Sequence, residues 1–373
     1  MAPIRVGVVG GGQLAWMMAG AAEKLGLELI VQTPNASDPG ARAAAQRVWG
    51  EAADATATAQ LAQLVDVITF ENEFVDLEAL KPLVQQGNRF FPSLETLAVI
   101  LDKYDQHQFL AAAGVNVAKF ALLEAAVPES LNLPLVLKAC RHGYDGYGTF
   151  IVKTQAELDQ VLAKSSTQRW LLEAFVPFER ELAVMAARAA TGEMAIYPVV
   201  ETVQEEQVCR RVFMTQDLPA AAVAQVEAAA RRILEQLNYV GILGIEFFLT
   251  ADGQILVNEL APRTHNSGHY SLDACVTSQF EQQLRAVCGL PLGSPALTSA
   301  GAVMVNLLGY ETSDQDYLEK RQRLSALPQA HLYWYGKTSR LGRKLGHVTV
   351  LLPQANRAEA ERIAAQIEQV WYP

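Results

Sequence analysis

The first hundred residues alternate short apolar runs with amphipathic segments. The β-branched run Ile4–Val9 ends at three consecutive glycines, and Gln13–Leu25 then carries apolar residues at helical spacing. Further strands are predicted at Leu27–Val31, at Val67–Phe70 and around Phe90, with Ala- and Leu-rich helical segments between them. This alternation predicts a parallel sheet with helices on both faces.

From Asn132 onward the pattern changes to strands with few helices between them, which favours an antiparallel sheet. The predicted strands are Leu135–Ala139, Phe150–Val152, Trp170–Phe175, Glu181–Ala187 and Ala195–Val200.

A long helix over Ala220–Leu237 precedes a predicted hairpin, in which Gly244–Leu249 and Ile255–Leu260 flank the turn Asp252-Gly253. A small final module is predicted after Pro295. It consists of three strands and an amphipathic helix, at Ala302–Leu308, His331–Trp334, His347–Leu352 and Ala358–Trp371.

Composition and charge narrow the class of protein. A chain of 373 residues, half of them apolar, has room for two or three globular domains. The formal net charge of −10 argues against nucleic acid or an anionic membrane as a partner, and no apolar run reaches the length of a membrane span. The four cysteines are scattered without a CxxC pair. This spacing disfavours a zinc site and suits a reducing compartment, so we expect a cytoplasmic protein.

The glycine turn after the first strand has the spacing Gly10-x-Gly12-x-x-Ala15. Such a turn lets a phosphate approach the backbone at a helix N-terminus, as in dinucleotide-binding proteins. The second strand ends in Val31-Gln32-Thr33, without the acidic residue that would hold a ribose. A phosphate ligand other than a dinucleotide is therefore favoured, and a purely structural turn is the alternative.

A glycine-rich loop follows Lys138, which lies at the end of a predicted strand. The next ten residues read ACRHGYDGYG, so three glycines follow the lysine within one loop. Backbone N–H groups and a lysine at this spacing can enclose a polyphosphate, although the loop is not a Walker sequence. A plain hairpin turn is the alternative.

Two glutamates face each other in the predicted hairpin. If Asp252-Gly253 is a two-residue turn, Glu246 lies directly opposite Glu259. Opposed like charges are destabilising unless a cation bridges them, which points to a divalent metal shared with phosphates. Asn258 would add an oxygen only if the strand is locally distorted, because regular pleating directs it to the other face. Two solvated glutamates are the alternative.

The segment after Glu259 is rich in hydrogen-bonding side chains. It reads LAPRTHNSGH over residues 260–269, so an arginine, two histidines, an asparagine and a serine lie within seven residues. Their place beside the predicted metal site indicates a substrate-binding loop.

Taken together, GGGQL, Lys138 with GYDGYG, GIEFF, NELAPRxHNSGH and the segment YGK…GRKLGH near the C-terminus resemble the 5-(carboxyamino)imidazole ribonucleotide synthetases, a family of ATP-grasp ligases. The resemblance implies a fold of the α/β and α+β classes. Its parts would be a Rossmann-like N-terminal domain (1–100), a linker helix and ATP-grasp lid domain (101–188), a central ATP-grasp domain with the metal carboxylates (189–298) and a small C-terminal β-rich module (299–373).

The resemblance implies an activity as well. The family joins bicarbonate to the amine of aminoimidazole ribonucleotide and cleaves ATP to ADP and phosphate through carboxyphosphate, in purine biosynthesis. It also implies Mg²⁺, or Mn²⁺ in its place, and a homodimer.

The resemblance assigns site residues by position. Around ATP it places Lys103, Lys138, the lid residues Gly143, Tyr144, Asp145, Gly146, Tyr147, Gly148 and Thr149, the adenine hinge Glu173, Ala174, Phe175 and Val176, the ribose ligand Glu181, and Gln204, Asn258 and Glu259. It makes Glu246 and Glu259 the metal ligands. Around the ribonucleotide it places Gly12, Gln13, Glu73, His265, Asn266, Ser267, His269, Lys337, Arg343 and Lys344. Tyr144, Asp145, Arg263, His265 and Lys337 would lie at the reacting groups, with Asp145 orienting or deprotonating the amine.

Three positions depart from the family pattern. Tyr147 replaces a basic residue after GYDG, Ala15-Trp16 replaces the glycine and arginine of GQLGRM, and Gln204 replaces a histidine. Arg141 is a candidate to replace the missing lid cation. The alternative functions are another ATP-grasp enzyme, such as formate-dependent glycinamide ribonucleotide transformylase, a Rossmann oxidoreductase and a non-catalytic nucleotide-binding regulator.

Overall fold

A computed structural model describes residues 2–124, 127–141, 148–164, 169–215 and 217–373. The N-terminal part is a parallel four-stranded sheet of order β3-β2-β1-β4 with helices on both sides, as predicted. Its elements are β1 (Arg5–Val9), α1 (Gln13–Leu25), β2 (Glu28–Thr33), α2 (Pro39–Ala43), β3 (Gln46–Trp49), α3 (Ala55–Ala62), β4 (Val67–Phe70), α4 (Leu77–Gln85) and α5 (Leu94–Leu101).

The fourth strand of this sheet differs from the prediction. Phe90 makes a single parallel bridge to Ile68, and the edge strand is β3 instead. Pro92 has no N–H to donate, and helix α5 begins two residues later. The segment around Phe90 is therefore too short to form a strand. Only Val48 of the four β3 residues is buried, so β3 needs no alternation of apolar residues. The sequence pattern therefore does not predict this strand.

A second, antiparallel sheet of order β5-β8-β6-β7 forms the lid. Its hydrophobic core contains Leu135, Leu137, Val152 and Trp170. The elements of this part are α6 (Lys103–Ala112), β5 (Phe120–Leu123), β6 (Leu135–Ala139), β7 (Thr149–Val152), α7 (Gln155–Lys164) and β8 (Trp170–Ala174).

The largest sheet has nine strands, in the order β14-β13-β9-β11-β12-β15-β17-β16 with β10 beside β9. The strands are β9 (Phe178–Arg188), β10 (Met194–Ile196), β11 (Val200–Glu205), β12 (Val208–Met214), β13 (Gly241–Thr250), β14 (Ile255–Ala261), β15 (Gly301–Leu308), β16 (Ala330–Trp334) and β17 (Lys344–Leu352). The helices around it are α8 (Ala220–Gln236), α9 (Ser271–Ala274), α10 (Gln279–Val287), α11 (Leu318–Ser325) and α12 (Arg357–Trp371), with a 3₁₀ turn at Asn266–Gly268.

Three features of this sheet differ from the sequence prediction. The C-terminal strands continue the central sheet through the pairing of β12 with β15, a pairing between distant segments that periodicity does not show. β9, which the prediction placed in the lid part, pairs with β11 and β13 of the large sheet. The single predicted strand Ala195–Val200 is two strands, interrupted at Tyr197-Pro198-Val199, where proline lacks an N–H for the ladder.

Packing between distant segments positions the site. α1 packs against α10 and against Tyr335 through a buried cluster that includes Leu14, Met18, Phe280 and Leu284. Arg42 also donates a hydrogen bond from Nη2 to the Tyr335 carbonyl at 3.1 Å. These contacts hold the glycine turn at the start of α1 beside the basic segment that follows Tyr335. Among the helices of the described ranges, none has the length and apolar character required to cross a bilayer.

Candidate active site

The β13–β14 hairpin brings Glu246 opposite Glu259, as the sequence register predicts. The turn length that leads to this register differs from the predicted one, however. Leu249 pairs with Ile255, and the Thr250 N–H donates to the Gln254 carbonyl at 3.0 Å, so the turn has three residues rather than two. A β-bulge between Val257 and Glu259 then restores the predicted register, because its extra residue compensates for the longer turn.

The extra residue of this bulge is Asn258. Its Oδ1 accepts a hydrogen bond from Lys138 Nζ at 2.8 Å, and it lines the same cavity as Glu246 and Glu259. A bulge redirects a side chain that regular pleating would turn away. The local distortion that a role for Asn258 requires is therefore present.

The two opposed glutamates have different environments. Burial raises the pKa of Glu246, and the nearby Glu259 and Glu181 carboxylates raise it further. Burial also disfavours ionised Glu259, but the Lys103 ion pair and Lys138 outweigh it and lower the pKa of Glu259. Lys344 and Lys103 lower the pKa of Glu246 by less than the two carboxylates raise it, so a bound cation would relieve the remaining repulsion.

Lys138 is held by a buried ionic network. Its Nζ lies 2.8 Å from Glu173 Oε2, and His107 Nε2 lies 2.5 Å from Glu173 Oε1. Burial raises the pKa of Glu173, but Lys138 and His107 lower it more, to about 2. Glu173 is therefore an anion that fixes the lysine at the end of β6.

One cavity, of about 470 Å³, lies between the lid sheet and the nine-stranded sheet. Its walls bring together eleven of the residues predicted to bind ATP or the metal, namely Lys138, Thr149, Glu173, Ala174, Phe175, Val176, Glu181, Gln204, Glu246, Asn258 and Glu259. His265, which was predicted at the substrate, lines it as well. The Glu181 carboxyl, whose pKa burial raises to about 7, lies in this wall as well.

Of the predicted lid loop, only Gly148 and Thr149 lie within the described residues. Gly143, Tyr144, Asp145, Gly146 and Tyr147 lie outside the described residues. The Gly148 carbonyl accepts a hydrogen bond from the Ala139 N–H at 2.8 Å. Lys103 lines the second cavity rather than the first and pairs there with Glu259.

The second cavity, of about 690 Å³, lies between the N-terminal sheet, the 260–269 loop and the 337–344 segment. It is lined by Gln13, Glu73, Arg263, His265, Asn266, His269, Lys337, Arg343 and Lys344, all predicted to lie near the substrate or its reacting groups. Glu259, His265, Asn266 and Lys344 line both cavities, so the two meet at these residues. Gly12 lies at the start of α1 beside this cavity. Ser267 is buried, and its Oγ lies 3.2 Å from His265 Nδ1.

Glu71, which sequence reasoning missed, occupies the glycine turn. Its carboxylate accepts backbone N–H groups of Gly12 and Leu14, and a side chain on Gly12 would collide with it. The anion site at the N-terminus of α1 is thus filled by the chain's own carboxylate, and the predicted substrate phosphate does not find an open site there. The position of Glu71 could have been predicted, because Glu71 directly follows β4, which is the parallel neighbour of β1.

Other predicted residues make contacts across domains. Arg263 forms a two-point ion pair with Glu73, with Nη2 to Oε1 at 2.9 Å, and Lys337 Nζ donates to Gln13 Oε1. The four cations of the C-terminal segment, Lys337, Arg340, Arg343 and Lys344, line the second cavity together. The C-terminal segment therefore folds onto the N-terminal part.

Three family profiles match successive parts of the chain. They are the ribonucleotide synthetase preATP-grasp domain over residues 3–101, the ATP-grasp domain over 108–280 and the phosphoribosylaminoimidazole carboxylase C-terminal domain over 302–361. An N5-carboxyaminoimidazole ribonucleotide synthase of Synechococcus elongatus is 54% identical over 98% of this chain and 95% of its own length. The chain belongs to the N5-carboxyaminoimidazole ribonucleotide synthase family.

Solved structures of this family have the same fold. The ADP complex of an N5-carboxyaminoimidazole ribonucleotide synthetase superposes with a TM-score of 0.91 and 33% identity, covering 100% of this chain and 98% of the other. The Aspergillus clavatus N5-carboxyaminoimidazole synthase in complex with ADP and 5-aminoimidazole ribonucleotide gives 0.90 and 31%, covering 99% and 98%. The predicted ATP-grasp fold and ATP-dependent ligase class are confirmed, and a Rossmann oxidoreductase is excluded.

Replacing Lys138 by Met should abolish stabilisation of this synthase-family protein by nucleotide. Lys138 carries the buried cation of the first cavity, and a ligand that binds only the folded state raises the unfolding temperature by an amount that grows with the logarithm of its affinity. The measurement is the ADP-induced shift of the unfolding temperature. Lys153→Met, at an exposed lid position, should keep the full shift, and an undiminished shift in Lys138→Met would contradict the assignment.

Replacing Glu71 by Gln should change the pH dependence of stability. Burial raises the pKa of Glu71 to about 7 although Lys337 and Arg263 lower it, so the folded state binds this proton more tightly than the unfolded state. Its stabilising contribution is present below about pH 4.5 and is lost as the pH rises through about 7. The wild-type unfolding temperature should therefore fall relative to that of Glu71→Gln between pH 5 and 8. Parallel curves for the two proteins would refute this cause.

Proposed function

We propose that the protein carboxylates 5-aminoimidazole ribonucleotide with bicarbonate in purine biosynthesis. The products are 5-(carboxyamino)imidazole ribonucleotide, ADP and phosphate. The observation that supports this best is the junction of the two cavities at Glu259, His265, Asn266 and Lys344. A nucleotide in the first cavity and a ribonucleotide in the second would place the γ-phosphate and the amine near the same residues.

The chemistry follows from the weak electrophilicity of bicarbonate. A bicarbonate oxygen attacks the γ-phosphorus in line, ADP leaves, and carboxyphosphate forms as a mixed anhydride. The amine of the ribonucleotide then captures its carbon, or the carbon dioxide that it releases; phosphate leaves, and the amine loses a proton to a base, for which the family resemblance makes Asp145 the candidate. Cations stabilise charge on the transferred phosphoryl group. In this proposal Lys138 and Lys103 provide those cations, and the anhydride has to be kept from water until the amine captures it.

The metal-binding part of the proposal rests on Glu246, Glu259 and Asn258. Their oxygens fit Mg²⁺, or Mn²⁺ in its place, because such ions in phosphate sites take one or two carboxylates and complete their shell with phosphate oxygens and water. Among the described residues no three His, Cys, Asp or Glu side chains form a metal-binding group, which agrees with a site that the nucleotide completes. When bound, the ion would neutralise phosphate charge.

The ribonucleotide would lie in the second cavity. We propose that Lys337, Arg343 and Lys344 bind its phosphate and that Gln13 and Glu73 lie near its ribose and base. Arg263 and His265, on the loop at the cavity junction, would face the reacting groups. Tyr144 and Asp145 keep the roles that the family resemblance implies.

The resemblance also supports a homodimer in the cytoplasm. All four cysteines are free thiols, which suits a reducing compartment. Size-exclusion chromatography with light scattering tests the dimer, and a monomeric mass at micromolar concentration would refute it.

Coupled measurement of ADP release tests the reaction. We expect turnover only when aminoimidazole ribonucleotide and bicarbonate are both present with Mg²⁺ and ATP. Glycinamide ribonucleotide with formate is the matched control for the alternative ATP-grasp ligase. ADP release with that pair alone would overturn the proposed substrate and retain the ligase class.

A further inference from the structure

The hairpin between β11 and β12 turns through two residues with left-handed backbone. Gln204 pairs with Cys209 and Glu205 with Val208, so Glu206 and Gln207 form the loop. Their φ angles are 51° and 64°. Positive φ at both central residues defines a type I′ turn, in which Asn-Gly is the preferred sequence.

This turn is energetically unfavourable for its sequence. A residue with a Cβ pays a steric penalty in the left-handed region, and here two long side chains do so in succession. Glycine would remove the steric penalty at the position that it occupies. Unfavourable backbone of this kind persists where the surrounding structure or the function requires it. We therefore expect at least one of the two side chains to have a functional role.

The two side chains lie in different places. Glu206 and Gln207 are both exposed, but of the two only Gln207 lines the nucleotide cavity, together with Gln204. Within the ranges that the structure describes, the Gln207 side-chain amide has no hydrogen-bond partner. Its donors and its acceptor are thus available to a molecule in the cavity.

The hairpin is anchored close to its tip. Asn306 Nδ2 donates to the Cys209 carbonyl at 2.8 Å, and two hydrogen bonds join Asn306 to Asn266. Asn266 lines both cavities. The start of β12 is therefore fixed to the wall between the two cavities, two residues after Gln207.

The position of Gln207 indicates which part of a nucleotide it would meet. Val208, the next residue, lines the second cavity, so the hairpin tip lies where the two cavities meet. Phosphoryl transfer between the two ligands has to take place at this junction. The adenine hinge at 173–176 belongs instead to the lid sheet and its connection to β9.

We propose that the Gln207 side-chain amide hydrogen-bonds the ribose–phosphate part of bound ATP or ADP, and that the left-handed turn directs it there. The proposal rests on nucleotide binding alone within the proposed function. Binding of ADP needs neither ribonucleotide nor bicarbonate, so a different second substrate would leave this test unaffected.

Three variants separate the amide from the turn. Gln207→Ala removes the amide and keeps a side chain in the strained position, Gln207→Gly removes the amide and the strain, and Glu206→Gly removes strain and keeps the amide. The measurement is the Kd for ADP with Mg²⁺ by titration calorimetry, together with the unfolding temperature without nucleotide.

We expect both Gln207 variants to bind ADP about three- to tenfold more weakly, the loss of one hydrogen bond. Glu206→Gly should keep the wild-type Kd and unfold about 1–2 °C higher, because a glycine accepts the left-handed backbone. A wild-type Kd in Gln207→Ala would overturn the proposal. So would an equal loss of affinity in Glu206→Gly, since the backbone of the turn would then be the cause.

Discussion

Replacing Glu259 by Gln should lower metal-dependent ATP cleavage by at least about a hundredfold, the effect of losing one strong electrostatic stabiliser. The substitution keeps the size of the side chain and removes the charge that pairs with Lys103 and lies opposite Glu246. The measurement is the rate of ADP formation at rising Mg²⁺ concentration with both substrates saturating. Glu246→Gln should give a similar loss, and the double variant should lose little more, because both carboxylates would serve one ion.

Glu235→Gln is the matched control, since Glu235 is an exposed glutamate on α8. It should retain wild-type turnover. Unchanged turnover of Glu259→Gln at saturating Mg²⁺ would overturn the metal assignment, and a loss of folded protein, seen by circular dichroism, would assign Glu259 to the fold.

Replacing Arg343 by Ala should raise the KM for aminoimidazole ribonucleotide by about ten- to a hundredfold, the loss of one charge-assisted contact of about 1.5–3 kcal/mol. Burial and the neighbouring Arg340 both lower the pKa of Arg343, so the cations here repel one another and an anion would relieve that repulsion. With Glu71 in the glycine turn, this basic segment is the favoured place for the substrate phosphate.

The KM for ATP should barely change in Arg343→Ala, because Arg343 lines only the second cavity. Arg362→Ala, at an ion pair with Glu359 on the surface of α12, should change neither KM. An equal rise of both KM values in Arg343→Ala would show that the side chain supports the fold rather than the phosphate.

The metal-site hairpin shows how far local pattern reaches. The alternation of apolar residues on both sides of Asp252-Gly253 predicted the facing of Glu246 and Glu259, and the structure has this pair. The three-residue turn and the bulge at Asn258 were not predicted, because each shifts the register by one residue in opposite directions. Periodicity records only the sum of such shifts.

The glycine turn shows where local pattern fails. Gly10 and Gly12 predicted a phosphate ligand at the start of α1, but the carboxyl group of Glu71 lies there instead. That it is the carboxylate of Glu71 depends on the parallel pairing of β4 with β1, which brings together residues about sixty positions apart. A sequence pattern specifies that a site can accept an anion, whereas tertiary packing decides which anion fills it.

The sequence by itself determined the long helices α1, α8 and α12, most strands and the ligand-rich segments, since these depend on side-chain periodicity and on spacing within single loops. Only the tertiary structure decided that β9 and the C-terminal strands share one sheet, and that Lys337 reaches Gln13 across more than three hundred residues. Pairing of distant strands and docking of helices depend on complementary surfaces that no local window contains. The two cavities and their junction arise from that docking.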